Sequence, residues 1–146
     1  MEELPKNSTH SIESEESFKE KMQKLAEETY KADPNKSCWE YECLKFSDIM
    51  YQKLLQPGTG IDRKQIFRMW VDTTKLGIRT HHFLQVGDYI IDGTWQQFLA
   101  KPRTSDKCII LNTNTLESDL TATNVPKELW FIYQNKTITR PAPKRR

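Results

Sequence analysis

The segment THHFLQVGDYIIDGTW, residues 80–95, constrains this chain more than any other. Two runs of apolar and β-forming residues flank Gly87-Asp88, and a Gly-X pair in that setting suits a two-residue type II′ hairpin turn. The spacing predicts a hairpin pairing 80–86 with 89–95, in which Val86 faces Tyr89, Phe83 faces Asp92 and His81 faces Thr94. Side chains alternate along a strand, so His81, Phe83, Gln85, Ile90, Asp92 and Thr94 share one face. The other face takes His82, Leu84, Val86, Tyr89, Ile91 and Trp95, the more apolar set, and is expected to be the core side. His81 and Asp92 become diagonal neighbours, at backbone separations of roughly 7–8 Å that long side chains bridge. A three-residue turn would set His82 opposite Asp92 instead, which keeps His82 as an alternate.

A carboxylate beside an imidazole fixes its tautomer and stabilises the imidazolium, leaving the second ring nitrogen for a nucleophile. The chain has three cysteines to supply one. Cys38 and Cys43 both fall early in a predicted helix, where the positive end of the helix dipole favours a thiolate. Five residues apart, they point about 140° from each other, so one of them at most faces the hairpin. Cys38 is nearer the helix start, whereas Cys43 shares a stripe with Phe46, Ser47, Met50 and Leu54. Cys108 opens the apolar run CIIL and reads as a core residue.

Two helices are expected before the hairpin. In the first, from Glu15, the residues Phe18, Met22, Leu25, Ala26 and Tyr30 recur at three- and four-residue steps, and Asp33-Pro34-Asn35 ends it. The second begins near Ser37, where Ser37 and Glu40 form a capping box, and runs to Pro57-Gly58. Strands are expected at QIFRMWV (65–71), CIIL (108–111) and LWFIY (129–133), with a polar loop holding one helical turn between the last two. The fold class is therefore α+β, with N-terminal helices packed on a small antiparallel sheet. Residues 1–14 read as a disordered extension, 15–135 as one domain and 136–146 as a basic tail.

Charge and composition exclude several functions. With 22 basic and 20 acidic residues in 146, the net charge of +2 carries no argument for nucleic acid or membrane binding. The basic residues around RKQIFRMW and in the tail PKRR read as solvated, and no aromatic-basic motif of an RNA-binding sheet is present. No apolar run nears the roughly 18 residues of a membrane span, and the first residues lack the order of a signal peptide. The expectation is a cytoplasmic protein, or one exported as an effector without a cleavable signal. The cysteines show neither a disulfide framework nor zinc-site spacing, so reduced thiols and no metal or cofactor are expected. The sequons at Asn7 and Asn135 read as chance matches.

The segment HHFLQVGDYIIDGTWQQF resembles the His-to-Asp hairpin of the transglutaminase-like and papain-like cysteine enzymes, and CLKFSDIMYQKL is similar to their nucleophile helix. The order Cys, His, Asp also agrees. The resemblance covers about residues 38–99 and implies a papain-like or transglutaminase-like core. It places the nucleophile on Cys43, the base on His81 and the orienting acid on Asp92, with Trp95 and Gln97 in flanking positions. One departure is that Tyr41-Glu42 stand where the family has a small residue and a glycine. The implied chemistry is attack of a thiol on a carboxamide or peptide carbonyl, which covers peptidases, glutamine deamidases and transglutaminases, with a protein or peptide as substrate. Compact members include bacterial effector deamidases. The competing reading is an idle member of the fold that binds a protein through exposed aromatics such as Trp39, Trp70 and Trp95.

Overall fold

The computed structural model describes residues 15–31 and 43–139. Helix α1 (Glu15–Lys31) and helix α2 (Cys43–Leu54) come first. Strands β1 (Ile66–Asp72), β2 (Thr80–Val86), β3 (Tyr89–Asp92) and β4 (Ile109–Asn112) follow, then helices α3 (Leu116–Ala122) and α4 (Phe131–Gln134) and strand β5 (Thr137–Thr139). The strands form one antiparallel sheet in the order β4-β3-β2-β1-β5. The chain is thus α+β.

The period-2 alternation sorts the sheet's side chains between two cores. Ile66, Leu84, Val86, Ile91 and Ile110 pack with Met22 and Ala26 of α1 and with Phe46, Met50 and Leu54 of α2. Met69, Val71, Phe83, Ile90, Ile109 and Leu111 point the other way, onto Trp95, Leu120, Leu129, Ile132 and Tyr133. A sheet covered on both faces needs apolar residues at successive positions, which is why YII and CIIL read as continuous runs rather than alternations. This corrects the expectation of a single core side. The face that carries His81 and Asp92 is as enclosed as the other, and Trp95 belongs to it.

Gly87 has φ +58 while Asp88 is not among the residues with positive φ, the pattern of a type II′ turn. Val86 pairs with Tyr89 and Leu84 with Ile91, as the turn spacing requires. Strand β3 is shorter than expected and ends at Asp92. Only glycine fits at the next position, because a Cβ on residue 93 would overlap the Phe46 ring.

The strand expected at 129–133 is helical. Leu129, Ile132 and Tyr133 are buried, and their three- and four-residue spacing lies on one side of a helix, a pattern hidden by the β-propensity of the intervening aromatics. The edge strand next to β1 is supplied instead by Thr137–Thr139, residues assigned from the sequence to the tail. The loop before α4 holds more than one turn. Helix α3 closes in a Schellman arrangement, with Asn124 at φ +56 and the Val125 N–H donating to the Leu120 carbonyl at 3.0 Å.

Several sequence expectations fall outside the described residues: the 1–14 extension, the Asp33-Pro34-Asn35 stop, the Ser37–Glu40 capping box, Cys38, Trp39, Tyr41-Glu42, Asn7 and the basic end of the tail. Among the described residues no helix is long and apolar enough to cross a membrane.

Candidate active site

His81 lies near the start of β2 and Asp92 at the end of β3, on the same face of the sheet, as turn geometry requires. The His81 Nε2–H donates to Asp92 Oδ2 at 2.6 Å, and neither side chain is exposed. His82 takes the alternate parity, pairs with Trp70 across β1–β2 and is half-buried. Burial and the charge of His81 hold its pKa down, while Asp48 opposes them. The two-residue turn therefore decides between the histidines in favour of His81.

Asp92 has two further donors. Its Oδ1 accepts from the Thr94 backbone N–H at 3.1 Å, and its Oδ2 also accepts from the Tyr133 hydroxyl at 2.6 Å. Three donors on a buried group make it a pure acceptor, the role of a carboxylate.

Cys43 occupies the first turn of α2 as described. Its thiol is 3.7 Å from the carbonyl oxygen of Thr80, the residue next to His81, and its influence raises the His81 pKa. Nε2 is committed to Asp92, and the other ring nitrogen, Nδ1, is 3.2 Å from the Gln97 amide nitrogen. The helix lies on one face of the sheet and the imidazole on the other. They meet near the start of β2, because the β2–β3 ladder runs only from Val86↔Tyr89 to Leu84↔Ile91 and His81 lies beyond it.

The electrostatics follow from this enclosure. Burial alone pushes His81 down, but it is outweighed by the charge and hydrogen bond of Asp92 and by the contact with Cys43, so its pKa is raised from 6.5 to about 9. Cys108, buried in the other core, is pushed up by burial and by the charge of Asp92, which leaves it a protonated packing residue as expected. Cys43 is buried at 5 % exposure.

The residues after Asp92 each hold part of the site. Thr94 binds the carboxylate through its backbone. Trp95 is fully buried and its indole N–H donates to the Asp106 carbonyl at 2.8 Å. Gln96 donates to the Ser105 carbonyl at 2.7 Å and accepts from the Arg103 N–H at 2.7 Å, tying the loop beyond it to the sheet. Gln97 places its amide nitrogen 3.2 Å from His81 Nδ1, and Phe98 packs edge-on to the imidazole at 4.9 Å. Gln96, Phe98 and Tyr133 were not singled out from the sequence. The first two lie within the motif quoted above, but nothing in the sequence links Tyr133 to a residue 41 positions earlier.

The structure therefore brings Cys43, His81, Asp92 and Gln97 together, leaves His82 on the opposite face and puts Trp95 in the core. Trp70 is half-buried. No group of three or more potential metal-ligating side chains occurs among the described residues. Comparison with protein-family models, with curated proteins and with solved structures finds no match for this chain.

Proposed function

We propose that this protein is a thiol-dependent amide hydrolase or acyltransferase of the papain-like or transglutaminase-like kind. The observation that carries the reading is His81, held at Nε2 by Asp92 at 2.6 Å, with the Cys43 thiol 3.7 Å from the carbonyl of the neighbouring Thr80. In the first step the proton shared between the Cys43 thiol and His81 Nδ1 stays on the imidazole, whose raised pKa favours the charged form, and the sulfur attacks a carboxamide or peptide carbonyl. The C–N bond then breaks, the proton passes from His81 to the leaving ammonia or amine, and a thioester remains on Cys43. Water or a second amine gives up a proton to His81, attacks the thioester and returns the sulfur to its starting state. Asp92 keeps Nε2 protonated throughout. Peptide hydrolysis, glutamine deamidation and transamidation differ only in the leaving group and acceptor, and a protein or peptide is the proposed substrate.

The test is alkylation with iodoacetamide at neutral pH, followed by mapping of the modified cysteine. Preferential modification of Cys43, slowed in His81→Ala, is expected. Equal indifference of all the thiols would leave the second reading, an idle member of this fold that binds a partner. That reading is favoured by the low exposure of Cys43, but it cannot use Trp95 as a contact because Trp95 is fully buried.

A further inference from the structure

We infer that Tyr133 is a positioning residue for the His81–Asp92 pair: its hydroxyl holds the same carboxylate oxygen that His81 uses and thereby weakens the grip of Asp92 on the imidazolium. The inference rests on the catalytic reading above. Tyr133 is fully buried on α4, with its ring against Phe83 at 5.3 Å in a T-shaped arrangement. Phenylalanine would fill that space equally well. What the hydroxyl adds is a 2.6 Å bond to Asp92 Oδ2, the atom that also receives the His81 Nε2–H at 2.6 Å. Burial, the charge of Asp92 and the hydrogen bond to it all push Tyr133 well above its usual pKa, so it stays an O–H donor.

Two donors on one oxygen divide its charge. A carboxylate held only by His81 and Thr94 would favour the imidazolium more strongly, and an imidazolium held too firmly is a poor base. Tyr133 thus sets how readily His81 gives up its proton, besides fixing the rotation of the carboxylate. The other titratable groups near the pair do not share this role. Tyr30 and Cys108 are both pushed up by burial and by the charge of Asp92, and the Tyr30 hydroxyl donates elsewhere, to the Gly93 carbonyl at 2.7 Å. His82 lies on the opposite face of the sheet, and Cys43 reaches the imidazole rather than the carboxylate.

The experiment follows the His81 imidazole signals by NMR across pH in the full chain. In Tyr133→Phe the midpoint is expected to rise by about half to one pH unit, and the alkaline limb of Cys43 alkylation to move with it. Ile132→Val, which loosens the same core without touching the hydroxyl, is expected to leave the midpoint in place. Protein made with 3-fluorotyrosine, a stronger donor, is expected to shift it downward, which keeps the test open if Tyr133→Phe does not fold. An unmoved midpoint in folded Tyr133→Phe, no shift with 3-fluorotyrosine, or an equal shift in Ile132→Val would overturn the inference. An unreactive Cys43 would defeat the catalytic reading alone, because the His81 midpoint reports on Tyr133 without turnover.

Discussion

His81 Nε2 stands 2.6 Å from Asp92 Oδ2 in the interior of the protein, and the pair joins two strands whose register is set by a two-residue turn. Because both partners are withdrawn from water, the pair governs stability as well as any chemistry. Its consequences can be measured without knowing a substrate.

Stability should fall as pH rises through the titration of His81. The folded state raises its pKa from 6.5 to about 9, so protonated His81 favours folding. That contribution is complete below about 6.5 and disappears as the pH passes 9. A loss of about 3 kcal/mol across this window is expected. Urea unfolding at pH 6 and pH 9.5 measures it, and an equal stability at both would contradict the pairing. His82, whose pKa is held down, acts in the opposite sense and only below its usual 6.5.

Asp92→Asn should cost about 3–5 kcal/mol, as expected when one partner of a buried pair is removed. An amide must present an NH2 group either to the His81 and Tyr133 donors or to the Thr94 N–H. Denaturant titration gives the value. A double variant with His81→Gln should lose less than the sum of the two single changes, and strict additivity would mean that the pair is not coupled.

Gly93→Ala should destabilise the fold by about 1–3 kcal/mol or more, because its Cβ would fall 2.1 Å from Phe46 Cζ. Phe46→Leu removes the obstructing ring and should recover part of the loss in the double variant. Thermal unfolding decides the matter, and a tolerated Gly93→Ala would mean that the Phe46 ring gives way readily.

Thiol reactivity should depend on reagent size. In a Cys38→Ser background, Cys43 at 5 % exposure should react with iodoacetamide faster than with a bulky aromatic disulfide, while Cys108 reacts only on unfolding. Mass mapping after timed labelling checks both expectations. Labelling of Cys108 at the rate of Cys43 would show that the core opens readily.

The hairpin was legible because its information is local. Gly87 supplies the positive φ, the turn length sets the register, and a period of two residues then decides which side chains share a face. The same logic picked His81 over His82. It misjudged the burial of that face because alternation says which residues go together, not what covers them. The covering comes from Leu129, Ile132 and Tyr133, in a segment whose aromatics favour a strand while their spacing is helical. Trp95 was misplaced because β3 ends at Asp92 and Trp95 falls in the short helical turn Trp95–Phe98, outside the strand alternation.

By itself, then, the sequence determined the α+β class, the turn, the His81–Asp92 pairing and the core character of Cys108, all carried by neighbours in the chain or by strong periodicity. The tertiary structure alone decided that Cys43 packs against Thr80 beside His81, that Tyr133 holds Asp92 and that both faces of the sheet are enclosed. Those contacts join segments tens of residues apart, and such pairings are set by how helices and sheet pack together, which leaves no local signature in the residues that make them.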